Sequence, residues 1–483
     1  MERFRLLIDG ALEDGAATFE SRDPFTGETW ALMSEAREAE VDRAVRAAHR
    51  AGPGWAGMTA TARGRLLWTL AERVAEAAPR LAALETRDTG KIIRETRAQV
   101  AYVADYWRYY AGLADKIEGA HLPIDKPDME AWTRREPVGV VAAVVPWNSQ
   151  LFLAAVKLGP ALAAGCTVVL KASEEGPAPL LAFAEIAADV LPPGVLNVVT
   201  GFGATCGRAL TSHPLVARVA FTGGPETGRA VLRNTAENLA TASLELGGKS
   251  PFLAFADADL DSAANAQVAG VFAATGQSCV AGSRLFVERG VKDAFLARLK
   301  AKAEAIRVGD PSDMTTEMGP LCTAAQKERM ARLIAESVDA GARLVTGGAE
   351  GRGLFVRHTI LDCDETSDAP ALGEEAFGPL LAARSFGTEA EALHLANDSP
   401  YGFAAGVFTR DLARAHRMAR GLKAGVVWLN TYRAVSPLAP FGGHSLSGQG
   451  REGGLAGALD YTTTKTVWLR TSEEPIPDPF VMR

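Results

Sequence analysis

The chain has 483 residues, 47% of them apolar and 23% charged, with a formal net charge of −7. That length exceeds what one hydrophobic core holds, so two or three domains are expected, and the composition excludes fibrous and disordered classes. The acidic balance gives no electrostatic reason to expect nucleic acid or an anionic membrane as partner, and no apolar run is long enough to span a bilayer.

In chain order, the first fifteen residues mix charges into a short apolar run, which predicts no secretory signal. Up to about residue 115 the chain reads as largely helical. "EAEVDRAVRAAHRAG" and "ATARGRLLWTLAERVAEAAPRLAALETRDTG" place apolar residues at helical spacing, and each ends in glycine. The polar, proline-containing stretch 118–137 can form a hairpin. From about residue 137 short Val-rich runs ("PVGVVAAVVPWN", "CTVVLKAS", "VLNVVTG", "VARVAFTG") alternate with helical patterns. Continuously apolar strands separated by helices predict a parallel sheet covered on both faces, and right-handed crossovers make it a doubly wound, Rossmann-like domain.

After "LELGGKSP" (244–251) the alternation restarts with "PFLAFADADL", "RLFVERG" and a long helix, which predicts a second α/β domain to about residue 446. "DYTTTKTVWLR" (460–470) is β-branched and reads equally as an ordinary edge strand or as one that pairs with another subunit. The expected division is a first domain of 1–117 and 138–246, a second of 247–446, and a small β element of 118–137 and 460–475. Five scattered cysteines and seven histidines carry no CxxC, no disulfide framework and no metal-ligand spacing, so a reducing, cytoplasmic, metal-free protein is the expectation.

Three residues stand out as candidates for chemistry. Cys279 in "TGQSCVAGSR" sits among small residues: Gly276 and Gly282 permit a tight path, and Ser278 and Ala281 leave room for a carbon to approach the sulfur. Taken alone it is either a nucleophile or a small buried side chain. Glu245 lies between apolar residues just before a double glycine, where a carboxylate is costly unless hydrogen-bonded or functional. Asn148 in "VVPWNSQ" follows a buried strand at the edge where parallel sheets place ligand-binding groups; it is a turn residue or an oxyanion donor. Three stretches resemble nucleotide-binding turns. "TGFGATCG" (200–207) and "FTGGPETG" (221–228) run strand, glycine, helix, and "LKASEEG" (170–176) puts Lys171 and Glu174 just past another strand.

Together these motifs resemble the NAD(P)-dependent aldehyde dehydrogenase superfamily over nearly the whole chain. "VVPWN", "LKASE", "FTGGPETG", "LELGGKSP", "GQSCVAGSR", "EEAFGP" and "PFGGHSLSGQGRE" occur in the family's order, and the interval from Glu245 to Cys279 matches as well. The resemblance implies an NAD-binding domain, a catalytic domain and an oligomerisation β element, in a homodimer or homotetramer. It implies Cys279 as nucleophile, Glu245 as general base and Asn148 as oxyanion donor. The thiolate would attack an aldehyde, hydride would leave from the thiohemiacetal to nicotinamide, and Glu245 would activate water against the thioester. Pro146, Trp147, Lys171, Ala172, Glu174, Gly203, Phe221, Thr222, Gly223, Gly224, Thr227, Leu246, Gly247, Glu375 and Phe377 would contact the cofactor. Gln150, Phe152, Ser278, Val280, Arg433, Val435 and Phe441 would contact the substrate.

Two features narrow the expectation. Glu245 favours hydrolysis to an acid over release as an acyl-CoA. Glu174 at the ribose would accept from a 2′-hydroxyl and repel a 2′-phosphate, favouring NAD over NADP. Departures from the family's common forms concern the substrate side. "PWNSQ" replaces the frequent PWNFP, making the wall of Ser149 and Gln150 smaller and more polar, and Val156 and Val435 stand where larger aromatics are common. An oxygenated or functionalised aldehyde is the expected substrate. The rival readings are a CoA-acylating dehydrogenase and a catalytically silent NAD-binding relative.

Overall fold

The structure is a computed structural model that describes residues 1–476 and 478–481. Its frame is two largely parallel sheets, as the α/β reading expects. The first has eight strands, in the order Gly448–Gln449, Thr241–Glu245, Val216–Thr222, Val140–Val144, Thr167–Ala172, Leu196–Thr200, Leu6–Ile8 and Ala11–Glu13. The five from Thr241–Glu245 to Leu196–Thr200 pair in parallel, and the outer strands pair antiparallel. Their alternating side chains serve two cores. Val141 and Leu170 face a cluster with Trp107, Tyr110 and Leu158, while Ala142 and Val169 face another with Val41, Val45 and Leu210. That double burial is why the runs are apolar without alternation.

The second sheet has seven strands, with Arg284–Glu288 at its middle and Pro251–Ala254 beside it, between Arg284–Glu288 and Ala404–Phe408. Leu285 and Val287 face one core and Phe286 the other. A third, three-stranded sheet pairs Thr462–Arg470 with Met129–Pro137 along nine residue pairs, and His121–Leu122 completes the hairpin of 118–137.

One expectation fails at the start of the chain. Residues 2–35 carry five short strands rather than helix, and two of them extend the first sheet. The apolar stretch Leu6–Ile8 is buried throughout and only three residues long, too short a run to mark a strand against the helices that follow. Helices begin with α1 (Glu38–Gly57) and α2 (Ala60–Thr89). Thr59 caps α2 by accepting from the Ala62 N–H, and left-handed Gly90 (φ 76°) ends it. α3 (Ile93–Leu113) then packs along α2 and against α4 (Gln150–Ala164), and this contact shapes the site. Among the described residues no helix is long and apolar enough to cross a membrane, and none of the five cysteines is paired.

Candidate active site

The parallel strands of the first sheet end in register. Val144 pairs with Lys171 and with Phe221, so the residues just past each strand converge on one edge. A groove of about 240 Å³ runs there, lined by Lys171, Glu174, Gly203, Phe221 and Thr227. The Lys171 ammonium is buried and donates to the Ala172 carbonyl (3.0 Å) and to Glu174 (3.2 Å). Ala172 enters the site only through that carbonyl; its side chain lies in the core, because it alternates to the opposite face from Lys171. The helix Pro225–Asn238 starts at the groove with Gly224 before it and no side chain capping its free N–H groups.

The groove shares Pro146, Thr222, Gly223 and Gly224 with a second cavity of about 360 Å³. Cys279, Asn148, Glu375 and Phe377 line that cavity, with Trp147, Leu246 and Gly247. Trp147 and Phe377 meet edge to face at 5.4 Å between ring centres. Phe377 holds a left-handed backbone (φ 50°), unusual for an aromatic residue and a local strain carried at the cavity wall.

Pro146 ends the buried strand, and the turn delivers Asn148 and Ser149 ahead of α4. The Asn148 amide donates to the Gln277 carbonyl (2.9 Å), which ties it to the loop carrying the cysteine and leaves its second N–H available. Cys279 itself is half-buried. The double glycine after Glu245 is explained by this loop: a Cβ on Gly248 would collide with the Cys279 carbonyl, and one on Gly247 with the Glu375 carboxylate. The Gly248 N–H donates to Glu375 (2.9 Å), and the Tyr432 hydroxyl donates to the Val280 carbonyl (2.9 Å).

Burial, reinforced by the charges of Glu375 and Glu245, pushes the Cys279 thiol up to about 12. Burial also raises Glu375 to about 7. Glu245 is buried without a hydrogen-bond partner among the described residues, and burial followed by repulsion from Glu452 drives its pKa well above the usual range. Its carboxylate lies beside Gly442, against the buried ion pair of Lys157 and Glu452, and does not line the cavity. Glu452 and Lys157 escaped the sequence reading, since charged residues 295 positions apart give no local sign of pairing.

On the substrate side, Phe152, Ser278, Val280, Arg433, Val435 and Phe441 all line the cavity. Gln150 does not. It is fully buried and turned toward Gly176, because the cavity faces the i, i+3, i+4 stripe of Ser149, Phe152 and Leu153. Val156, expected in the tunnel, packs into the core. Gln99 and Tyr102 of α3, together with Gln326 and Arg329, line the cavity without having been singled out in the sequence. Only the packing of α3 on α4 reveals the first two.

The sequence profile described as the aldehyde dehydrogenase family matches residues 12–467. A relative from Acinetobacter baylyi, (Z)-2-((N-methylformamido)methylene)-5-hydroxybutyrolactone dehydrogenase, is 63% identical over 488 residues, covering 100% of both chains. Among solved structures, PnpE from Pseudomonas sp. WBC-3 in complex with nicotinamide adenine dinucleotide superposes with a TM-score of 0.96 at 41% identity, covering 99% of each chain. Betaine aldehyde dehydrogenase from Staphylococcus aureus in complex with NAD+ gives 0.95 at 36% identity, covering 98% of this chain and 95% of that one.

Proposed function

The chain belongs to the aldehyde dehydrogenase family, and from that premise we propose that it oxidises a functionalised aldehyde to its carboxylic acid with NAD, through a covalent intermediate on Cys279. The observation that carries this reading is the continuity of the two cavities: sulfur and amide line the one, the Lys171 and Glu174 pair the other, and four residues belong to both.

The residues fit a dinucleotide. Lys171 and Glu174 stand at a strand end as partners for ribose hydroxyls, and an uncapped helix start faces the groove as an anion site. Glu375 and Phe377 would flank the nicotinamide end. When bound, NAD supplies the hydride acceptor.

The chain's own residues account for the rest. Cys279 adds to the aldehyde carbon once its proton has left, and the high thiol pKa makes that proton transfer the step needing help. The free N–H of Asn148 and the Cys279 backbone N–H would hold the developing oxyanion. Glu245, once ionised and turned from its place beside Gly442 toward the cavity, would take a proton from water for hydrolysis of the thioester. Its raised pKa makes it a stronger base than a solvated carboxylate, at the cost of being protonated over more of the acid range.

For substrate we propose an oxygen-bearing semialdehyde. The 5-hydroxybutyrolactone in the name of the Acinetobacter baylyi dehydrogenase is the ring-closed form of a 4-oxobutanoate. Trp468 and Leu469, exposed on the strand Thr462–Arg470, support pairing of that strand with a second copy of the chain. The free cysteines support a reducing, cytoplasmic setting.

The test is NADH formation across a panel of aldehydes, with the product identified and coenzyme A supplied in parallel. Free acid as product supports the reading; acyl-CoA would replace it with acylating chemistry, and no reduction of NAD by any aldehyde would remove it.

A further inference from the structure

At the wall of the cavity a buried lysine organises two polar side chains. Lys91, 8% exposed, directs its three N–H donors to the Gln99 Oε1 (2.6 Å), the Ser149 Oγ (3.0 Å) and the Asn148 carbonyl (3.2 Å). Its charge is met from behind by Glu85, 3.8 Å away. The Gln99 Nε2 also donates to the Ser149 Oγ (3.2 Å). A hydroxyl has two acceptor sites and one donor. Both acceptor sites of Ser149 are therefore filled, and its O–H has no acceptor among the described residues. Gln99 likewise has one amide N–H committed and one left over. Both side chains line the cavity.

The serine's position strengthens the point. Ser149 is the residue before α4, where a serine ordinarily accepts from the helix's free N–H groups, yet it makes no such cap. Its hydroxyl is turned to Lys91 and Gln99 instead. Tyr102 adds no competing donor, because its hydroxyl is spent on the Val435 carbonyl (3.0 Å). This wall thus offers two N–H or O–H donors backed by an ammonium.

We propose that the Ser149 hydroxyl and the Gln99 amide, oriented by Lys91, bind a hydrogen-bond acceptor oxygen at the non-reacting end of the aldehyde, so that the enzyme selects semialdehydes carrying a carboxylate, lactone or amide carbonyl over alkyl aldehydes. Ser149 and Gln99 are specificity residues; Lys91 is a positioning residue. The inference rests on the proposed dehydrogenase reading and concerns only which aldehydes that site prefers.

The test compares kcat/KM for butanal, 4-oxobutanoate and 4-oxobutanamide, which share a chain length and differ in having no acceptor, a charged one or a neutral one. In the wild-type protein both acceptor-bearing aldehydes are expected to exceed butanal by at least about ten-fold, the scale of one good hydrogen bond. Ser149→Ala should lower the ratio of 4-oxobutanoate to butanal by about ten-fold, chiefly through KM, and Ser149→Thr, which keeps the hydroxyl, should restore it. Gln99→Leu should lower the same ratio independently, and serves if the serine variant does not fold. Preference for the carboxylate alone would assign the source as an acidic group, and equal preference for the amide a neutral carbonyl. Oxidation of butanal as efficient as that of the other two, or ratios unmoved in both Ser149→Ala and Gln99→Leu, would overturn the proposal while leaving the dehydrogenase reading intact. No NADH from any of the three would instead remove that reading, and this inference with it.

Discussion

The dinucleotide groove and the aldehyde cavity adjoin, but they are built differently. The groove is the C-terminal edge of a single parallel sheet. Its key residues stand at or just past the ends of buried strands: Lys171 is the last of Thr167–Ala172 to pair with Val140–Val144, Thr222 ends Val216–Thr222, and Glu174 and Thr227 follow these strands. The cavity is assembled from α3, the entry to α4, the Cys279 loop, the Glu375 loop and the segment 433–441, which approach one another only in the folded chain. A sheet edge repeats one geometry; a cavity between sheets depends on every element that walls it. In the proposed reading the groove would therefore take a shared cofactor, whereas the cavity would select the substrate.

Variants that separate the two regions test this contrast. The largest effect belongs to Cys279→Ala, expected to cut NADH formation by roughly 10⁴-fold or more while NAD binding, followed by fluorescence titration, persists. Loss of both together would mean that the two regions are not separable. Next is Asn148→Ala, expected to lower kcat by about 10²–10³-fold, the scale for removal of an oxyanion donor, with little change in the KM for NAD. An effect on KM alone would remove Asn148 from the reacting end of the cavity.

On the groove side, Glu174→Gln should reduce the preference for NAD over NADP by about ten-fold, read as the ratio of their kcat/KM values, without moving the aldehyde preference. A changed aldehyde ratio would show coupling between the regions. The smallest effect is a shift in pH profile. In the proposed mechanism Glu245 would act as a base only when ionised, so turnover should rise with pH as it loses its proton, and its raised pKa places that limb above the ordinary carboxylate range. Glu452→Gln removes one of the charges that raise Glu245, so the acid limb of kcat should move to lower pH. A limb that moves upward or stays in place would assign the titration to another group.

The same contrast separates what can be read from the sequence. Lys171, Glu174, Thr222 and Thr227 are legible because the Val-rich runs mark strands, and the residues just past them must lie at the ligand edge. Cys279 and Glu245 stand out as candidates because a small-residue neighbourhood and a carboxylate before a double glycine are poor choices for a core, although only Cys279 lines the cavity. Lys91, Gln99 and Tyr102 are not. On α2's exit and on α3 they read as ordinary helix surface; only the packing of α3 on α4 brings Gln99 and Tyr102 to the cavity wall, with Lys91 buried behind Gln99 and Ser149. Gln150 and Val156 mislead for the same reason, since which stripe of α4 faces the cavity depends on what that helix packs against.

Local chemistry in the sequence determined the alternating α/β frame and the ligand-binding edge, and it marked the sulfur, amide and carboxylate as candidates whose roles came only from the family resemblance. Those follow from periodicity, from where glycine and proline stop an element, and from the cost of burying polar groups. Tertiary structure alone decided that residues 2–35 carry five short strands, that Lys157 and Glu452 stand against Glu245, and that a buried ammonium turns Ser149 into a donor at the cavity wall. Each of these rests on contacts between segments far apart in the chain, and no local pattern encodes such contacts, because their free energy arises only when both partners leave water together.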